Sequence, residues 1–188
     1  MTAVDDLWYL ATEADQRAEQ AYHRLTDAHE DLLEQTHSRR VSRSRFRTLA
    51  ERIRETGAPY GAHSIVYRPS GELLLVWHDG VEMWVVPGGE PDAGESFRAA
   101  AERELAEEAG IEATYDGLAM IVRVEVRSGD HSTWGVLPLF EARSVGDETP
   151  TADDPDGEVT AAAWFAELPE NTRDREDLLA WREYALSE

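Results

Sequence analysis

Apolar positions in the first 56 residues recur at helical spacing. Val4, Leu7, Trp8, Leu10 and Ala11 open a stripe that Ala18, Ala21, Tyr22, Leu25, Leu32 and Leu33 continue, with no Gly or Pro before Gly57. Ser42 or Ser44 can cap a second helix carrying Phe46, Leu49, Ala50 and Ile53, and Gly57-Ala58-Pro59 closes the segment. Two amphipathic helices cannot bury both faces between themselves. Residues 1–56 are therefore expected to be a helical segment that packs on the rest of the chain or on another subunit.

From Tyr60 the pattern shortens to strands. Ala62–Tyr67 alternates into a Pro69-Ser70-Gly71 turn, Leu73–Trp77 is a short apolar run before Asp79-Gly80, and Met83–Val86 leads into a Gly/Pro loop. A helix follows, with Gly110 placed to stop it. Leu118–Val126 and Thr133–Ala142 read as a pair around Ser128-Gly129-Asp130. After an acidic loop over 146–157 come a strand at Val159–Phe165 and a closing helix over Asp174–Leu186. Hairpins mixed with helices, without regular alternation, predict an α+β layered domain over residues 57–188 rather than a doubly wound sheet.

Charge changes the picture of partners. Asp and Glu number 39 against 18 basic residues, all of them Arg, for a net charge of -21. Such a surface repels nucleic-acid backbones and anionic membranes, and its composition is similar to that of proteins from extreme halophiles. Seven of the 18 Arg fall between Arg39 and Arg54, on what reads as the second helix. They could draw an anionic substrate, but clustered charge more often marks a solvated face paired with acidic neighbours. With no Cys, disulfides and thiolate chemistry are excluded, and no basic leader or long apolar run is present, so the cytoplasm is the expected location.

Candidate chemistry gathers between Pro87 and Ile111. Glu104, Glu107 and Glu108 stand at i, i+3 and i+4 on one helical face, where like charges repel unless water or a shared cation relieves them. Carboxylate oxygens suit Mg²⁺, and Gly88-Gly89 permits a main-chain carbonyl to turn inward as a further ligand. Metals held this way serve phosphoryl chemistry. No P-loop is present.

At these residues the sequence resembles the Nudix hydrolases. Their signature is matched by Gly89, Glu95, Arg103, Glu104, Leu105, Glu107, Glu108, Gly110 and Ile111, and a looser likeness runs over residues 60–167. The resemblance implies a mixed β-sheet sandwiched between helices, here preceded by a two-helix N-terminal segment. It implies that Glu104, Glu107 and Glu108 bind Mg²⁺, or Mn²⁺, that the Gly89 backbone contacts the metal, and that Glu95 and Arg103 steady the loop and helix. Catalysis would fall to Glu107, Glu104 and Glu158, the last standing where some members place a metal ligand or general base. The implied reaction is hydrolysis of a pyrophosphate bond in a nucleoside diphosphate linked to another group, with ADP-ribose or a nucleotide sugar as the first expectation. The front helices resemble extensions that assist homodimerisation in some members.

Other residues carry weaker readings. Glu158 is also one acid among Asp153, Asp154 and Asp156. His63 and His78 could assist the site, yet a lone His beside strands is usually structural, and neither is assigned a role. Tyr60, Trp77, Trp84 and Trp134 could stack on a base, though strand aromatics usually belong to a core. Rival readings are hydrolysis at an RNA 5′ end, which the net charge opposes, and nucleotide sensing without turnover, which the intact signature opposes.

Overall fold

A computed structural model describes residues 5–187. Val4, at the head of the predicted stripe, lies outside them. The described chain forms two compact units, residues 5–61 with 120–138 and residues 62–119 with 139–187.

In the first unit, α1 (Asp6–Asp27) is capped by Asp5, whose side chain accepts from the Leu7 amide, and α2 (Arg43–Thr56) by Ser42, which accepts from the Arg45 amide. Leu7, Leu10, Ala14, Ala18 and Ala21 on α1 are buried, as are Phe46, Leu49, Ala50 and Ile53 on α2. Trp8, part of the predicted stripe, is instead 66% exposed, and Tyr9 beside it 67%. The Arg-rich stretch is largely a paired surface. Arg43 meets Asp5 at 3.0 Å, Arg47 meets Asp6 at 3.6 Å and Arg54 meets Glu13 at 3.6 Å.

Between these helices the structure corrects the continuous helical stripe. Leu33–Arg40 is a strand, β1, running parallel to residues Met120–Arg127 of β6 (Ala113–Ser128). Leu32 and Leu33 therefore do not continue the helix, and Arg39 and Arg40 belong to a strand. α1 ends at Asp27 with Ala28 as its cap, and Asp31, with φ at +56°, turns the chain before β1, a conformation short polar side chains tolerate. Pairing with a neighbouring strand then overrides the weak local preference of Glu34–Ser38.

The second unit carries β2 (Ala62–Tyr67), β3 (Leu73–His78), β4 (Met83–Val85), the two-residue β5 (Gly88–Gly89), α3 (Phe97–Ala109), β7 (His131–Ser144, through its later residues), β8 (Val159–Phe165) and α4 (Arg175–Leu186). β2 runs parallel to β7 and antiparallel to β3 and β5, and β3 pairs antiparallel with β4 and β8. The sheet is thus mixed, as expected. Leu105 and Ala109 of α3 pack on Val66, Leu74, Val76, Ala142 and Val159, and Ala101 packs on Ala62 and Phe140. Strand alternation turns Tyr67 to the opposite face, where its ring lies 5.6 Å from Trp181 of α4. Helices therefore cover both faces. Gly57 and Gly110 end α2 and α3 with φ at +93° and +61°, each bonding its amide back into the helix. No described helix is long and apolar enough to cross a membrane.

Candidate active site

Ser96 starts α3 by accepting from the Ala99 amide, and the apolar positions Ala101, Leu105 and Ala109 then fix which way the helix faces. That orientation grades the three carboxylates by depth. Glu108 shares the buried side and is 7% exposed. The Glu104 side chain is 14% exposed and that of Glu107 35%.

The Gly88-Gly89 backbone lies directly over this face. The Gly88 amide donates to Glu108 Oε2 at 2.9 Å. A Cβ built on Gly89 would sit 2.6 Å from Glu104 Oε1, so only glycine lets the main chain approach that carboxylate so closely. β5 is stitched to β2 by the register pairs Ala62↔Gly89 and His63↔Gly88, with the Ser64 amide donating to the Pro87 carbonyl at 2.9 Å.

Arg103 binds the loop to the helix. Its Nε and Nη2 donate to the two oxygens of Glu95 at 3.0 and 3.1 Å, and Nη2 also donates to the Glu90 carbonyl at 3.0 Å. Nη1 donates to Glu104 Oε1 at 2.9 Å and Glu107 Oε2 at 3.2 Å. Glu95 completes the lock by accepting from the Asp92 amide at 2.8 Å. The Arg103 bonds and that amide hold the Glu95 carboxyl below its ordinary range, and Glu95 in turn raises the guanidinium.

Burial sets the protonation of the deeper acids. It pushes Glu108 up to about 8, against the Gly88 hydrogen bond and with Glu104, Asp154 and Glu107 adding like charge. Glu104 is also raised, because burial outweighs its bonds from Arg103. A buried carboxylate with one amide donor and acidic neighbours is poorly satisfied as an anion. An all-oxygen set of graded carboxylates beside an open backbone fits a hard divalent cation.

Glu158 stands on the loop before β8 with its side chain 68% exposed, its Oε2 3.4 Å from His78 Nε2. The loop acid that acts on both Glu104 and Glu108 is Asp154, to which the sequence reading assigned no role. Asp154 Oδ2 accepts from the amides of Glu158 and Val159, each at 2.9 Å. A lone Asp in an acidic loop offers no spacing signal, so only the folded loop reveals it. His63, on β2, has a buried Nδ1 without a partner, and burial pushes its pKa down to about 4, with Arg173 and His78 also opposing its charge. Trp77, Trp84 and Phe165 interlock, with ring centroids 5.6 and 4.8 Å apart. In the first unit the Arg123 guanidinium lies over Trp134, its Cζ 3.8 Å from the indole ring centroid.

Comparison with known proteins follows the same residues. The family model described as the NUDIX domain matches residues 58–181. A Bacillus subtilis (strain 168) protein named "Putative 8-oxo-dGTP diphosphatase" is 36% identical over 90 residues, which is 47% of this chain and 60% of that relative's length. Two solved structures share the fold. An ADP-ribose pyrophosphatase from Streptococcus suis is 20% identical with a TM-score of 0.50, the match covering 68% of this chain and 91% of that one. The E. coli dihydroneopterin triphosphate pyrophosphohydrolase is 16% identical with a TM-score of 0.51, covering 68% and 94%.

Proposed function

The chain belongs to the Nudix hydrolase family, and from that premise we propose that it cleaves the pyrophosphate bond of a nucleoside diphosphate linked to another group. The observation that carries the reading is the α3 face, where Glu104 and Glu108 lie under the Gly88-Gly89 backbone and Glu107 joins Glu104 through Arg103. Glu104, Glu107 and Glu108 would hold Mg²⁺ or Mn²⁺ there, with the Gly89 backbone as a further oxygen donor. A cation held at this face would supply charge to offset the phosphate oxygens and would make water a better nucleophile.

The chain's own groups do the rest. Glu95 and Arg103 keep the loop over the helix, so the carboxylates meet the substrate in one geometry. Glu107, the most exposed of the three, reaches the substrate side, and Glu158 on the facing loop takes the proton from the attacking water. Asp154 fixes that loop through its three amide bonds.

ADP-ribose and nucleotide sugars remain the first substrates in this reading. The match to the Bacillus subtilis relative favours an oxidised nucleoside triphosphate as the second. Dimerisation through the front helices belongs to the same reading, supported by exposed Trp8 and Tyr9 on α1. Sedimentation of the Trp8→Ser variant checks it, a shift to monomer being expected.

The experiment is a panel of ADP-ribose, nucleotide sugars, 8-oxo-dGTP and a triphosphorylated oligonucleotide, at high salt, with and without Mg²⁺. Metal-dependent hydrolysis of a small nucleotide is expected. Preference for the oligonucleotide would make the chain an RNA 5′-end enzyme, and tight nucleotide binding without turnover would make it a sensor.

A further inference from the structure

We infer that His63 is a positioning residue for the carboxylate face, acting through the Gly88 backbone from the far side of the sheet. The inference rests on the metal-binding reading of Glu104, Glu107 and Glu108.

Along β2, Ala62 and Val66 lie under α3, so His63 projects from the opposite face. Its partner across the strands is Gly88. A Cβ built on Gly88 would collide with the His63 ring and the Ala62 carbonyl, so the imidazole rests against the glycine's main chain. On the other face, the Glu104 carboxylate presses equally closely on Gly89. The two-residue strand β5 is therefore clamped between an imidazole behind and a carboxylate in front.

What the clamp fixes is the Gly88 amide, which donates to Glu108 Oε2 at 2.9 Å. Neither glycine has a side chain to anchor itself, and the loop that follows is held to the helix through Arg103 and Glu95 rather than to β2. The ring of His63 is thus the backstop that keeps β5 from relaxing away from α3. His63 is half-buried, yet its Nδ1 is fully buried without a partner, an arrangement that costs stability. Truncating the ring opens space behind Gly88, and a shift of β5 into that space lengthens the amide bond that orients Glu108.

The test is Mn²⁺ binding by calorimetry on the full chain without substrate, for wild type, His63→Ala, His63→Phe and Glu108→Gln. Thermal melting is run alongside. His63→Ala should bind Mn²⁺ about 10-fold more weakly, the scale on which groups supporting metal ligands act. His63→Phe restores a flat ring without the orphan nitrogen and should bind within about 3-fold of wild type, again small against the losses seen when such support is removed. Exchange of the Gly88 amide should quicken in His63→Ala and stay slow in His63→Phe. If His63→Ala does not fold, His63→Gln, which keeps bulk but no ring, takes its place with the same expected loss. Wild-type affinity in the folded ring-less variant overturns the inference while leaving the metal face intact. Wild-type protein with no Mn²⁺ affinity, or affinity unchanged in Glu108→Gln, overturns the reading of the face and this inference with it.

Discussion

Two regions of this molecule crowd like charges on a helix, and they are built differently. On α2 the Arg side chains are largely exposed, and Arg43, Arg47 and Arg54 each take an acid from α1 or its cap. On α3, Glu104 and Glu108 sink toward the core, and Glu108 accepts from the Gly88 amide with no Arg paired to it among the described residues. Exposed pairs of the first kind contribute about 0–1 kcal/mol each and can be rearranged freely. A buried acid of the second kind is destabilising as an anion unless a cation or further donors satisfy it. Crowded charge marks a site only where burial and a fixed backbone come with it.

That contrast can be broken by substitution. The largest effect is expected on the carboxylate face of α3. Glu108→Gln and Glu107→Gln should lower turnover by about 10²- to 10⁴-fold, the range over which a positioned catalytic group acts, with the circular dichroism spectrum unchanged. Near-native turnover in either variant would remove the site from α3. Gly89→Ala comes next. Its new Cβ would fall 2.6 Å from Glu104 Oε1, and the flexible carboxylate can swing aside. Stability should change little, while kcat/KM falls by tens of fold or more, since a misplacement of about 1 Å can cost 10²-fold.

The pH dependence sharpens the contrast further. Glu108 holds its proton in the folded chain up to about 8 and releases it in the unfolded chain near 4.5. Between those values the folded state binds the extra proton, so stability falls as pH rises, by about 1.4 kcal/mol per unit for one fully developed site. Glu104, raised by burial, adds in the same direction. Glu95 is lowered, so its stabilisation is present above its unfolded value and is lost only in acid. His63, lowered to about 4, contributes stability fully present above 6.5 and lost as pH falls toward 4. The clean window therefore lies between pH 6.5 and 8, where metal-free wild type should melt at progressively lower temperature and Glu108→Gln should flatten that slope. The smallest effect belongs to α2. Arg47→Ala and Arg54→Ala should each change unfolding free energy by less than about 1 kcal/mol and leave turnover unchanged.

How far the sequence can be read follows the same physics. The Gly, Arg and Glu spacing of residues 89–111 is legible because local helical geometry alone brings those groups together. The strands at 62–67 and 159–165 are legible because apolar runs end at clear turns. β1 is not, since no Gly or Pro marks the end of α1 before it and its stability comes from residues almost ninety positions away. The depth of Glu108, the clasp of Arg103 on four carboxyl and carbonyl partners, and the influence of Asp154 all arise from packing between distant segments. No spacing rule reaches those.

The most direct test of the central claim is product formation from ADP-ribose, a nucleotide sugar and 8-oxo-dGTP, followed by chromatography with and without Mg²⁺ in wild type and Glu108→Gln. The account predicts metal-dependent cleavage of the pyrophosphate bond in at least one of them, lost on chelation and in the variant. Cleavage that survives both, or nucleotide binding with no cleavage at any metal concentration, would contradict it.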